Sequence, residues 1–76
     1  MPDLQEITDI ARKLGIKLTS AEEGSELFEC WRDRVLEADG RADDVRLALR
    51  EGDDREAKRT NAARAEAVLS ANAYAI

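Results

Sequence analysis

Apolar residues recur every three or four positions along most of this chain, which is the spacing of one face of an α-helix. Within residues 24–49 they advance in alternating steps of four and three residues, the heptad pattern of helices that pack side by side. We call these positions the heptad stripe: Gly24, Phe28, Trp31, Val35, Ala38, Ala42, Val45 and Leu49. No segment alternates apolar and polar residues as a half-buried strand would. The sequence therefore predicts an all-α fold.

The first predicted helix covers residues 4–14. Asp3 and Glu6 stand three positions apart at its start, as in a capping box. Gly15 suits the left-handed position that follows a helix, because glycine has no Cβ to clash there. Ile16 can then fold back against the last turn of the helix.

The second predicted helix is the long central one, over residues 20–51. Thr19 and Glu22 form a capping pair at its start. The heptad stripe keeps its phase through Gly40, which a turn would have no reason to do. We therefore predict one unbroken helix, in which this glycine costs about 1 kcal/mol relative to alanine. A break at Gly40 is the alternative, because it would help to bury Leu36 and Leu47, which face outward on an unbroken helix.

The third predicted helix covers residues 54–73, after a capping pair formed by Asp53 and Glu56. Its predicted apolar stripe is mostly alanine, which permits close helix contact but buries little area. The members of that stripe are Ala57, Ala62, Ala65, Val68, Leu69 and Ala73.

The helix lengths suggest how these elements are arranged within a single domain over residues 1–76. At about 1.5 Å per residue, the two shorter helices together match the central one in length. We expect both to pack along it, the first helix on its first part and the third on its second part. One face of such a layer stays uncovered, so we predict that dimerisation completes a helical bundle.

The charge distribution indicates which partners the surface favours. The chain has 17 acidic and 12 basic residues and a net charge of −5. Residues 21–52 hold the excess, with ten acids and five bases. Ala11 and Gly15 have the spacing of a helix-turn-helix motif, but the segment that would read DNA is acidic instead of basic. We therefore expect a protein partner and not a nucleic acid.

The residue types that most often perform catalysis are scarce. The chain has no histidine and a single cysteine, Cys30, so it offers neither a Ser-His or Cys-His pair nor a set of zinc ligands. We expect no enzymatic activity, no cofactor and no metal. The N-terminal residues do not resemble a signal peptide, and no apolar run has the length of a membrane span. These features favour a cytoplasmic protein without a membrane partner.

The predicted function is that of a small acidic interaction module that binds another protein as an adaptor, an inhibitor or a regulatory subunit, and that forms a homodimer. The residues predicted for the partner or dimer interface are Phe28, Trp31, Val35, Leu36, Leu47 and Leu49. An acidic face is predicted from Glu22, Glu26, Glu29 and Asp33.

Two alternative functions come from other classes of protein. One is a nucleic-acid-associated transcriptional regulator that uses a basic patch on the third helix, formed by Arg55, Lys58, Arg59 and Arg64. The other is a structural component of a larger assembly.

Overall fold

The computed structural model describes residues 3–75. In that range the chain forms three α-helices and no strand: α1 (Leu4–Leu14), α2 (Glu26–Arg50) and α3 (Asp54–Tyr74). The prediction of an all-α fold with three helices is confirmed. The central helix, however, begins at Glu26 and not at residue 20.

The late start of α2 follows from the capping residues. Ser25 has an extended backbone, and its hydroxyl accepts a hydrogen bond from the Phe28 amide at 3.2 Å, which makes it the N-cap. Gly24 has a positive φ of 89°, which a continuing helix cannot accommodate. The Thr19 hydroxyl accepts a bond from the Ala21 amide at 3.1 Å and caps no helix. Gly24 therefore lies outside the helical part of the heptad stripe.

Once begun, α2 continues through Gly40 without a break. Its 25 residues give a rod of about 37 Å. The whole molecule measures 41 × 21 × 17 Å, so α2 sets its long dimension.

A tight turn reverses the chain between α2 and α3. Gly52 has a φ of 76°, its amide donates to the Leu49 carbonyl at 3.1 Å, and the Asp53 amide donates to the Ala48 carbonyl at 2.9 Å. These two bonds form a Schellman motif, which satisfies carbonyls at the end of α2. Asp53 then caps α3 by accepting a bond from the Glu56 amide at 3.0 Å, as predicted.

As a result, α3 runs antiparallel along most of α2 and not along its second part alone. Ala67 and Ala71, near the end of α3, pack in the same cluster as Phe28 and Trp31, near the start of α2. We call this end of the molecule proximal and the end with the turn at residues 51–53 distal.

The hydrophobic core lies entirely at the proximal end, where α1 packs across α2 and α3. Gly15 ends α1 in the left-handed conformation, and the Ile16 amide donates to the Ala11 carbonyl at 2.8 Å, as the sequence indicated. The buried members of the core are Ile7, Ala11, Ile16, Phe28, Trp31, Val35, Ala38, Ala67 and Ala71.

Two hydrogen bonds attach the segment between α1 and α2 to the other helices. The indole Nε1 of Trp31, a side chain only 1% exposed, donates to the Lys17 carbonyl at 3.0 Å. The Lys17 amide donates to Oδ1 of Asn72 on α3 at 2.8 Å. Both backbone groups of Lys17 are therefore satisfied, one by each of the long helices.

The buried face of α3 differs from the predicted one. Its buried residues are Ala57, Thr60, Ala67 and Ala71, whereas Ala62, Ala65, Leu69 and Ala73 are exposed. Half-buried Arg64 fills the gap between Thr60 and Ala67, so that the series advances in alternating steps of three and four residues. Small side chains on this face allow α3 to approach α2 closely, and Leu69 is left 69% exposed.

Two glycine substitutions should have opposite effects on stability. Gly40→Ala should stabilise the protein by about 1 kcal/mol, because glycine weakens a helix interior, and apart from the adjoining backbone of α2 no atom lies within 4 Å of the added Cβ. Gly52→Ala should destabilise it by about 1 kcal/mol, because φ there is positive. Urea unfolding followed by far-ultraviolet circular dichroism measures both effects, and a loss of stability in Gly40→Ala would contradict the first.

Trp31→Phe should lower the free energy of unfolding by about 2 kcal/mol, because the variant loses a hydrogen bond and leaves a void in the core. Leu69→Ala is the control, and its expected effect is below about 0.5 kcal/mol because that side chain is exposed. The same urea titration tests both variants, and equal effects would show that Trp31 does not organise the core.

Candidate functional site

The distal half of the α2–α3 hairpin lacks a third layer. Among the described residues, the buried side chains outside the core cluster are Ala48, Ala57 and Thr60, all in this half. Ala42 and Val45 are half-buried, and Leu49 is 57% exposed. The heptad stripe therefore passes from core to surface along one helix.

The short length of α1 explains this change. α1 has 11 residues and α2 has 25, so α1 covers less than half of the longer helix. Leu4 and Ile7 of α1 lie beside Phe28 and Arg32, near the start of α2. The face that carries the heptad stripe thus has a step, raised where α1 lies and low beyond it.

A groove of about 440 Å³ occupies the low part of this face. Val45 and Leu49 of α2 and Ala57 of α3 supply its apolar surface, and Asp54, Lys58 and Asn61 supply its polar side chains. We call this feature, with these six residues, the distal groove. Its volume is in the range of ligand pockets, but its largest apolar side chain, Leu49, is mostly exposed, so the groove is open to solvent.

The segment that carries the distal groove has no net charge. Residues 42–64 contain six acidic and six basic side chains, although the chain as a whole carries a net charge of −5. Arg46 pairs with Asp43 beside the groove. Arg64 donates from Nε to Oδ1 of Asn61 at 3.1 Å. The groove is therefore an apolar surface in a neutral part of an acidic protein.

Three of the residues predicted for an interface belong to the core. Phe28, Trp31 and Val35 are buried by α1 and α3, and the rings of Phe28 and Trp31 lie 5.8 Å apart between centroids. The structure does not expose these side chains to a partner. They stabilise the domain itself, which is the usual role of large apolar residues at helical spacing.

The three leucines of the predicted interface lie on different parts of the surface. Leu36 is half-buried on α2. Leu47 lines a shallow depression on the side of the hairpin opposite to the groove, together with Arg41 and Thr60. Leu49 lies in the distal groove. Two positions along a helix correspond to a rotation of about 200°, which separates Leu47 from Leu49.

The predicted acidic residues are all exposed, but they lie on two elements. Glu26, Glu29 and Asp33 are on α2, whereas Glu22 lies in the segment before it. Asp33 is 3.5 Å from a guanidinium nitrogen of the neighbouring Arg32. The outer side of proximal α2 is thus an acidic surface, well separated from the distal groove.

The predicted basic patch is only partly assembled. Arg55, Lys58 and Arg59 are exposed on the first turns of α3, and position 64 lies on the buried face of that helix. Arg59 donates to both carboxylate oxygens of Glu56, and this contact raises the pKa of its guanidinium. A role for this patch in binding nucleic acid stays a prediction.

Sequence reasoning missed half of the distal groove. Val45 and Leu49 were visible as members of the heptad stripe, but Ala57, Asp54 and Asn61 were not grouped with them. The spacing of Ala57, Thr60, Arg64, Ala67 and Ala71 could have identified the face of α3 that packs on α2. Two polar residues in that series concealed it.

Comparison of the chain with known protein families, with curated proteins and with solved structures found no match. None of the helices in residues 3–75 combines the length and the apolar character needed to cross a membrane. In the described part of the chain, no three His, Cys, Asp or Glu side chains are grouped so that they could hold a metal ion.

Substitutions along the heptad stripe should lower the free energy of unfolding in its covered part but not in its exposed part. Leu49→Gln should change the free energy of unfolding by less than about 0.5 kcal/mol at low protein concentration, because Leu49 is exposed. Val35→Ala should lower it by about 2 kcal/mol, because that side chain is fully buried. Chemical denaturation measures both, and a large loss in Leu49→Gln would mean that the chain itself covers the groove.

Proposed function

We propose that this protein is a non-enzymatic interaction module, an adaptor, an inhibitor or a regulatory subunit, and that the distal groove is the surface that binds another helical protein. The observation that carries this proposal is the heptad stripe, which continues beyond α1 as an uncovered apolar surface. Apolar side chains grouped in a surface groove are typical of protein-binding sites.

The shape of the groove supports a helix as the bound element. Two antiparallel helices form its walls. Val45 and Leu49 on one wall continue the three- and four-residue spacing of the heptad stripe from Ala42, which another helix can engage. The uncovered stretch from residue 42 to residue 50 is about 12 Å long. A partner helix of two or three turns would fill it.

The acidic surface of proximal α2 would add electrostatic attraction to the apolar contact made by the distal groove. Carboxylates on Glu26, Glu29 and Asp33 create a negative field that speeds association with a basic protein and discourages nucleic acid. The cytoplasm, where a lone cysteine such as Cys30 stays reduced, is the compartment that we propose for this protein.

Site-specific photo-crosslinking tests the proposed function. A benzophenone amino acid is placed at position 49 in the groove or, as a matched control, at position 69, where the native leucine is also exposed but lies on the outer face of α3. Both variants are irradiated in the native cells, and the products are identified by mass spectrometry. We expect a discrete protein adduct from position 49 and little from position 69.

The adduct should also disappear when Lys58→Glu and Ala57→Asp are introduced at the rim and floor of the groove, with helicity checked by circular dichroism. Equal adducts from positions 49 and 69, or none from either, would contradict a docking role for the distal groove.

A further inference from the structure

We infer that the occupant of the distal groove is a second copy of this chain, packed with its hairpin antiparallel to the first to form a four-helix bundle at the distal halves. This inference rests on the proposed function, because it names the partner of that same groove. Three features of the described residues support it: the step on the face, the absence of net charge and the order of charges along each helix.

The step makes the face complementary to itself. α1 raises the proximal half of this face by about one helix diameter, on the order of 10 Å, and leaves the distal half low. Two copies placed face to face with their turns pointing in opposite directions fit together, because each distal half lies in the space beside the α1 of the other. A parallel arrangement would place α1 against α1 and hold the two grooves apart.

The absence of net charge in the distal half of the hairpin gives a basic partner no electrostatic reason to bind there. The six acids and six bases of residues 42–64 cancel, whereas the rest of the chain has eleven acids and six bases. A strongly basic partner would be attracted to the proximal half. A second copy can approach through the distal half without net repulsion between the contacting surfaces.

The order of charges along α3 favours the antiparallel orientation. Asp54 lies at the turn, Lys58 lies one helical turn farther from it, and both line the distal groove. In an antiparallel pair related by a two-fold axis, the acidic start of one α3 lies beside the basic part of the other. A parallel pair would not exchange these charges.

On α2 the order is reversed, with the basic residue nearer the turn and the acidic residue farther from it, and it also favours the antiparallel orientation. Arg50 lies near the turn, and Asp43 lies farther from it. Antiparallel pairing again places opposite charges together. Both helices therefore favour the same orientation, and Val45 of one copy then lies over Leu49 of the other.

The contact is small, because it involves only the distal halves of two helices in each copy. Interfaces below the standard size are typically weak, so we expect a dissociation constant on the order of micromolar. Sedimentation equilibrium over a range of concentrations should show reversible association from the 8.4 kDa chain to a species of twice that mass.

Paired variants locate the interface. Leu49→Asp should weaken dimerisation at least tenfold, because it places two carboxylates at an apolar contact, whereas the matched control Leu69→Asp should leave it unchanged. Asp54→Lys should weaken dimerisation, and adding Lys58→Asp should restore part of the loss by exchanging the charges across the two-fold axis. Far-ultraviolet circular dichroism confirms that each variant remains folded.

The native Cys30 provides a test of orientation. With spin labels on Cys30, pulsed electron spin resonance should give a distance of about 50 Å in the antiparallel dimer, because position 30 lies about 25 Å from the centre of contact in each copy. A parallel dimer would place the two labels within roughly 30 Å of each other.

A chain that stays monomeric at all concentrations, a dimer that only Leu69→Asp disrupts, or the short label distance would each overturn the inference. The photo-crosslink distinguishes this failure from failure of the proposed function. An adduct of position 49 with a different protein would preserve the docking role and exclude the second copy, whereas an adduct with the chain itself would support both.

Discussion

The indole of Trp31 holds the domain together. It lies in the cluster to which all three helices contribute, and its Nε1 donates to the Lys17 carbonyl in the segment between α1 and α2. The Lys17 amide donates in turn to Oδ1 of Asn72 on α3. The apolar part of the indole fills the core, and its N–H group fixes the path of the segment that follows α1. The placement of α1 therefore depends on this side chain.

The position of this core determines what the rest of the molecule can do. The large buried side chains are concentrated at the proximal end, and beyond Ala38 the helices meet through small residues such as Ala48, Ala57 and Thr60. Small residues bring two helices close but bury little apolar area. Val45 and Leu49 consequently stay near the surface, where they form an apolar groove in place of more core.

The distal groove and the acidic surface lie at opposite ends of α2 and suit different partners. The groove is apolar and without net charge, which favours a closely packed helical surface such as that of a second copy. The proximal half carries the negative charge, which favours a basic protein. A two-fold antiparallel dimer through the grooves would carry one acidic surface at each of its two ends.

The sequence by itself determined the local features, because these depend on neighbouring residues. The caps at Asp3 and Asp53, the left-handed Gly15 and the all-α class were predictable from spacing alone. The start of α2 was not, since Thr19 and Ser25 both offer a capping hydroxyl and the conformation of Gly24 decided between them. The tertiary structure alone decided which part of the heptad stripe is covered and which face of α3 is buried. Periodicity identifies an apolar face but not the element that covers it, and on α3 close packing placed Thr60 inside and Leu69 outside.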